Sequence, residues 1–505
     1  MVPYVLIVTV SMAAAWLLVL KDGNIVPALA VILVVTILVA TFYKAEWGFY
    51  LLFGMVMLFD QFLNTMPGGS PITYKVGYFL NLKQNPYLPP IGAAVMNPIE
   101  VQLFLILLAW FIAISARRVN KLQGVPYWGL ALLLFAAIAF SEVHGMVTGG
   151  TFLPSMWEIR ALMYFLLLFF LVPQLIQTRK QMNIILWIFI AMIAVKASQG
   201  AWRFIELGFK FKTYTTLTNH EDPLFIADLL LFLLALKMFD VKIPQRRVLV
   251  WLLPVFFLGF YAGQRRAVYA SLAIALILFV VMLKPEQRRK FIRMAIPILV
   301  LVAVYAAVFW NRPGRLGAPV RLLASAFSNT KKGAGDRYWS DLYRDYERYD
   351  LAITVRHFPL LGLGFGKKYL QPVDLALIGT NWSLRDWIPH DEILWILTKM
   401  GAVGFFIFFV FIDALVFEIG RMAKTLKDPY LRAVTFLIAA AIMGQIVVSY
   451  FDLQLTFYRN MILLGTLCGF LPTIKALDKK KEPHRARPIL NSTESIPLEE
   501  GAAVK

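Results

Sequence analysis

The feature that most constrains this chain is a recurrence of apolar runs, each about 20 residues long, separated by polar connectors. A helix needs roughly 20 mostly apolar residues to cross the hydrocarbon core of a bilayer. Such runs occupy 3–20, 25–42, 47–63, 99–115, 125–142, 158–177, 182–201, 223–241, 248–262, 267–284, 291–310, 391–415, 430–450 and 457–474. They predict an all-α, polytopic integral membrane protein with about fourteen transmembrane helices. Composition excludes the alternative of a soluble fold. Of 505 residues, 59% are hydrophobic and only 16% charged, against about 25% charged in soluble domains. No soluble core of this size could hide that much apolar surface.

The first run, Val2 to Leu20, has neither a basic stretch before it nor a small-x-small cleavage site before Lys21. It reads as a retained helix and not as a cleaved signal. The single cysteine, Cys468, lies inside an apolar run, which excludes an intrachain disulfide. No Cys/His spacing suggests a metal site, and no cofactor is indicated. No internal repeat is visible.

The formal net charge of +20 would suit a nucleic-acid partner were it gathered in one domain. Instead the basic residues sit between apolar runs: Lys44; Arg117, Arg118 and Lys121; Arg179 and Lys180; Lys242, Arg246 and Arg247; Lys284 to Arg293; Arg421, Lys424 and Lys427; Lys479 to Lys481. Counted along the runs, these all fall on one side, which the positive-inside rule makes the cytoplasm. The lipid bilayer is thus the expected partner, nucleic acid is not, and both termini are expected in the cytoplasm. Four units follow: transmembrane helices 1–11 over 1–310, a large extracytoplasmic loop over 311–390, helices 12–14 over 391–475, and a disordered cytoplasmic tail over 476–505. The other outer loops are 64–98, 143–157 and 202–222. The loop 311–390 carries twelve Lys/Arg and seven Asp/Glu. Its middle, Arg337 to Phe358, has helical character and stops at Pro359.

Several polar residues at the outer ends of the runs depart from the orientation rule. Gln264, Arg265 and Arg266 interrupt a long apolar stretch. A plain hairpin turn would suffice to explain them, but paired arginines on the outer face run against the charge bias and form a ready anion site, because guanidinium groups bind pyrophosphate oxygens in bidentate fashion. Asn219, His220, Glu221 and Asp222 stand directly before the span at Pro223. The acids suit a helix start, whereas the histidine needs another reason. His390, Asp391 and Glu392 follow Pro389 at the mouth of the span 391–415. A histidine beside carboxylates is a suitable general base near neutral pH. Within the loop helix, Arg344 and Arg348 lie one turn apart and share a face. Asp341, Asp345 and Glu347 could neutralise them in a solvated ion-pair ladder. Tyr338, Trp339, Tyr343, Tyr346 and Tyr349 interleave, and such aromatics either stack on sugars or sit at the membrane interface. Glu158 and Arg160 open a span and could simply pair. Gly362, Gly364 and Gly366 superficially suggest a nucleotide loop, but no strand–helix unit surrounds them, so they read as a tight turn.

From Phe256 to Phe405 these pieces together resemble the O-antigen ligase / O-antigen polymerase family of bacterial membrane glycosyltransferases. The resemblance is carried by Gly263-Gln264-Arg265-Arg266 followed at once by an apolar span. It continues through Arg344 upstream of Pro359-Leu360-Leu361-Gly362-Leu363-Gly364, and through His390-Asp391-Glu392-Ile393-Leu394 with Gly401-Ala402-Val403-Gly404 beyond it. Asp391 replaces a common Asn, Lys399 stands where an acid is frequent, and 219–223 reads Asn-His-Glu-Asp-Pro in place of Asn-Pro-Asn. These departures point toward an exopolysaccharide branch.

The resemblance implies a glycan donor carried on undecaprenyl pyrophosphate and a glycan or glycolipid acceptor. It implies attack by a sugar hydroxyl at the anomeric carbon on the extracytoplasmic face, in an inverting reaction without metal. It makes His390, Arg265 and Arg344 the catalytic candidates. Arg266, Arg348, His220, Glu221, Asp391 and Arg160 are then substrate-binding candidates, with Asp391 or Glu392 orienting His390, and with His220 and Glu221 as a second base and orienter. The competing class is a polysaccharide or lipid transporter or flippase. Transporters usually place polar groups near the bilayer midplane on repeated, broken helices, whereas the clusters here lie at the ends of spans.

Overall fold

The computed structural model describes residues 2–61, 73–84, 95–117, 122–211, 216–310, 335–375 and 384–480, apart from positions 21, 24, 75 and 76, together with 317 and 320. The expected tail from 481 onward and the first part of the loop 311–390 lie outside the described residues. Helices follow one another as α1 (Val2–Leu20), α2 (Ile25–Tyr43), α3 (Ala45–Leu58), α4 (Pro98–Ser115), α5 (Trp128–Val147), α6 (Phe152–Leu175), α7 (Arg179–Glu206), α8 (Asp222–Met238), α9 (Pro244–Ala262), α10 (Arg266–Met282), α11 (Pro285–Phe309), α12 (Gly335–His357), α13 (Glu392–Thr425), α14 (Pro429–Ser449) and α15 (Tyr458–Lys480). Every apolar run of the sequence lies in one of them, and α12 falls where the loop helix is expected.

Among the described residues, α4, α5, α6, α7, α11, α13, α14 and α15 are the eight helices long and apolar enough to cross a membrane. The chain is an all-α, polytopic membrane protein. Of the remaining apolar runs, α1 and α2 form helices of 19 residues each, α3 one of 14 and α10 one of 17. α8 spans only 17 residues and carries Asp222, Asp228 and Lys237, while α9 opens on Arg246 and Arg247. The last helix also runs past the expected boundary at 475, to Lys480.

The centre of the bundle is α14 and α15, flanked by α6, α8, α10 and α13. α15 packs most closely on α6, where a Cβ on Gly465 or Gly469 would stand 2.7 Å from Phe165 O and Val172 Cβ respectively. Two glycines one turn apart let the backbones approach, which is how helices gain contact in lipid, where no hydrophobic drive remains between them. The outermost helix is α11. None of its described residues is buried, and near its start Phe291 meets Phe279 edge-on at 5.8 Å.

α13 is broken at Gly401, whose φ is 64°. The break leaves Thr398 and Lys399 carbonyls without helical partners, and a glycine loop supplies them. Leu363 N donates to Thr398 O (2.8 Å) and Gly364 N to Lys399 O (3.0 Å), while Ala402 N donates to Pro359 O (2.8 Å). A Cβ on Gly401 would lie 2.2 Å from Leu360 O, and one on Gly362 2.4 Å from Gly401 N. Both glycines also have positive φ, so this close approach needs them. Underneath, Lys399 Nζ pairs with Glu158 at 2.8 Å, both fully buried, and Glu158 accepts from Gly366 N at 2.5 Å and Trp395 Nε1 at 3.2 Å. Non-helical backbone among membrane helices is tolerated where protein satisfies it in this way.

Candidate functional site

Four helices begin at one end of the bundle: α8 at Asp222, α10 at Arg266, α13 at Glu392 and α15 at Tyr458. Their aligned peptide dipoles turn positive ends toward that region, which favours negative charge there. The residues just before three of these starts, together with α12, build a charged cluster.

Arg265, the N-cap of α10, donates from Nη1 to Asp452 Oδ2 at 2.9 Å. His220 Nδ1 approaches the same carboxylate oxygen at 3.4 Å. Arg266 Nη2 meets Asp341 at 2.7 Å, and Arg344 Nη1 lies 3.6 Å from the same acid. Arg348 Nε donates to Asp391 at 3.1 Å, its Nη2 donates to Tyr450 O at 3.1 Å, and its guanidinium lies 4.7 Å from the Tyr450 ring centroid. His390 is gripped twice by Glu347, through its backbone N–H at 2.8 Å and its Nδ1 at 3.2 Å. The Tyr343 ring stands edge-on to the imidazole at 5.5 Å. The side chains of His390 and His220 are 24% and 30% exposed, so both remain reachable. The Nε of Arg265 and of Arg344 is buried and has no hydrogen-bond partner among the described residues. Buried unpaired donors are costly, and two guanidinium donors left open in one cluster suit an anion.

The two imidazoles are pushed apart. Burial and the Arg265 charge hold His220 below the ordinary histidine value, only partly offset by Asp452. Burial also works against a charged His390, but Glu347, by charge and by hydrogen bond, outweighs it with help from Asp452, so that imidazole lies above the ordinary value. Asp452 itself is held well below the carboxylate range. Burial alone would raise it, but His220 and Arg265 more than reverse that.

The structure brings together six of the sequence candidates, His390, Arg265, Arg344, Arg266, Arg348 and His220, with Asp391 at the edge. It assigns several partners differently. The carboxylate on His390 is Glu347. Asp391 instead pairs with Arg348 and caps α13 through Leu394 N at 3.1 Å. Glu392 holds the turn before α15, accepting from Thr456 N at 2.9 Å and Thr456 Oγ1 at 2.6 Å, and from Gln454 N and Leu455 N. Glu221 does not touch His220. It and Asp222 neutralise Arg459, at 3.0 and 2.9 Å, inside the bundle.

Arg160 stands apart from the cluster. It is buried and engaged by Glu100 at 2.8 Å, Asn81 at 2.9 Å and Val95 O, so its donors are used in holding α6 to α4. Nor does Arg160 pair with Glu158, whose partner is Lys399. Asp452, Glu347 and Tyr343 are members of the cluster that sequence reasoning did not select. A lone acid between two apolar runs, as in Tyr450-Phe451-Asp452, is the signal that could have found the first. Among the described residues no group of three or more His, Cys, Asp or Glu side chains is placed to hold a metal ion.

No curated protein matches the chain significantly. A family model described as O-antigen ligase matches residues 249–409, which run from α9 past the break in α13. The match contains Arg265, Arg266, Arg344, Glu347, Arg348 and His390, while His220 and Asp452 lie outside it. Residues 249–409 are thus similar to the O-antigen ligase family.

Proposed function

We propose that the chain transfers or polymerises glycan from an undecaprenyl-pyrophosphate-linked donor onto a sugar hydroxyl at the outer face of a bacterial inner membrane. In this reading about fourteen helices cross the bilayer, both termini are cytoplasmic, and the cluster faces outward beneath α12. The reading is supported above all by one observation. A histidine held by a buried carboxylate stands beside two arginines that each keep an unpaired buried donor.

The acceptor hydroxyl attacks the anomeric carbon as the bond from that carbon to the pyrophosphate oxygen breaks. The electron pair leaves with undecaprenyl pyrophosphate, and the hydroxyl proton passes to His390. Arg265 and Arg344 take the departing charge, since cations aimed where charge develops lower the barrier most. Their permanent charge and fork geometry suit a diphosphate without a metal. Arg266 and Arg348 shape the rim, tied back by Asp341 and Asp391. Glu347 keeps His390 in one tautomer, with the proton on Nδ1 and Nε2 free to accept. Its carboxylate then stabilises the imidazolium that forms, in the way acids support catalytic histidines elsewhere. His220, held below its usual basicity, stays neutral beside Arg265 and leaves that cation available. Back-side attack by the acceptor would make the transfer inverting.

The test is the lipid-linked glycan pool of a null strain complemented with wild type or His390→Ala, sized by mass spectrometry. Single repeat units accumulating on the carrier identify a polymerase, and long chains stranded on the carrier identify a ligase. A pool identical to wild type refutes the enzymatic reading and favours transport.

A further inference from the structure

At the end of the bundle opposite the charged cluster, α1, α2 and α3 line an open, groove-like cavity of about 650 Å³. Its size lies inside the range of small-molecule sites, about 300–1,000 Å³. The walls are aliphatic, including Ile32, Val35 and Val39 of α2, and the rim is aromatic, with Tyr43, Trp47 and Tyr50. α3 gives the direction. It starts at Ala45 beside the rim and ends at Leu58, just before Asp60, which pairs with Lys196 and Asn219 near the cluster. The mouth therefore lies a full helix length from Arg265.

Three features identify the occupant. The first is length. The α2 wall runs from Ile32 to Tyr43, about 16 Å at 1.5 Å per residue. That is half of a hydrocarbon core of about 30 Å, so the cavity is as deep as one leaflet. The second is polarity at the mouth. Lys44 is exposed and makes no ion pair among the described residues, while the nearby Glu46 accepts from Gln181 Nε2 at 2.7 Å. Tyr50 lines the cavity with its hydroxyl buried and without a hydrogen-bond partner. The third is the aromatic rim itself, since Trp and Tyr concentrate at headgroup level.

We propose that this cavity seats one acyl chain of an anionic phospholipid from the cytoplasmic leaflet, with its phosphate against Lys44 and an ester oxygen on the Tyr50 hydroxyl. The leaflet assignment rests on the orientation given under the proposed function, and the site itself does not. The tail of the donor lipid is a poorer occupant, because its diphosphate belongs with Arg265 and Arg344 at the other end. A seated acyl chain also explains how the thinly packed α1 and α2 are held to α3. It completes their packing where protein side chains do not reach.

The experiment uses the full chain in a mild detergent, with bound lipid counted by native mass spectrometry. After delipidation it is titrated with phosphatidylglycerol, phosphatidylethanolamine and undecaprenyl phosphate. The expected result is one phosphatidylglycerol retained per chain and preferred over phosphatidylethanolamine. Ala40→Trp, which fills the cavity, should lower retention at least tenfold. Lys44→Gln should keep an acyl chain but lose the preference for the anionic headgroup. That variant decides the matter if Ala40→Trp fails to fold. Wild type retaining and rebinding no phospholipid would overturn the proposal, as would undecaprenyl phosphate displacing phosphatidylglycerol one for one. Polymer formation is scored separately with His390→Ala, so loss of the enzymatic reading would leave this result standing.

Discussion

Glu347→Gln isolates the contribution of one charge to the proposed base. Glu347 is 1% exposed at its side chain and contacts His390 at 2.8 and 3.2 Å. Its charge and hydrogen bond are what raise the imidazole above its ordinary value against burial and Arg344. Glutamine keeps a hydrogen-bond acceptor but removes the charge. The sign follows directly. His390 works as a neutral base, so activity rises with pH as the imidazole loses its proton. Removing the charge lowers that pKa, and the acid limb of kcat against pH moves to lower pH. The plateau falls as well, because a weaker base transfers less well and the imidazolium loses its counter-charge. Positioned general bases contribute about 10²–10⁴-fold, and a loss of at least about tenfold is expected here. The assay is glycan transfer in detergent or proteoliposomes, from lipid-linked donor to acceptor, at saturating substrate across pH 4.5 to 8.5. An acid limb that stays in place, or moves to higher pH, refutes Glu347 as the group that tunes His390. Full activity at every pH would also remove His390 as the base.

Other perturbations separate structure from chemistry. Arg265→Lys keeps the charge but cannot reproduce the fork. It should weaken binding of undecaprenyl pyrophosphate by roughly 10–100-fold, the value of one charged hydrogen bond of about 1.5–3 kcal/mol. Equal binding by calorimetry would argue against the contact. Gly401→Ala puts a Cβ 2.2 Å from Leu360 O at a φ of 64°. It should cost at least about 1–3 kcal/mol, visible as a lowered Tm in detergent, and an unchanged Tm would contradict the packing described. Lys399→Met strands Glu158 without its partner and should cost about 3–5 kcal/mol. Adding Glu158→Gln should recover much of it, and a double variant no more stable than the single one would show that the pair is not what matters.

How much of this was legible in the sequence follows from what lipid demands. Apolar runs must be long and uninterrupted to cross a bilayer, so helices α1 to α11 and α13 to α15 stood out as runs. α12 stood out through its stop at Pro359. Boundaries drifted even where charges stand: α13 continues through Glu418, Arg421 and Lys424 to Thr425, beyond the expected 415, and α3 stops at Leu58, two residues before Asp60 and short of 63. In the cluster, Arg265 and His390 were visible because a polar residue at the end of an apolar run is conspicuous, and Arg344 because it shares a face of the loop helix with Arg348. Their partners were not. Asp452 lies 187 positions from Arg265 and Glu347 lies 43 from His390, and no periodicity links such pairs. Arg160 misled for the same reason, since its acid, Glu100, sits on another helix 60 positions away.

The break in α13 explains how the loop over the cluster can also aim the proposed base. His390 directly precedes the half-helix Glu392 to Met400, and a short helix ending among lipid tails would leave its last carbonyls unsatisfied. The loop 359–366 satisfies them, so the half-helix is locked from below by the chain that returns from α12. From above, Glu347 of α12 holds His390. The same connection, α12 to the glycine loop to α13, thus fixes both ends of the segment that carries the imidazole, and Glu158 with Lys399 pins it to α6. Substitutions at Gly362, Gly364 or Gly401 should therefore act at a distance. Where such a variant still folds, it should lower kcat more than it raises KM, because the arginines proposed to hold the donor sit on α10 and α12 and remain in place while His390 loses its register. A variant of this loop that raised KM alone would indicate that the glycines serve donor binding, and that the half-helix is positioned by other contacts.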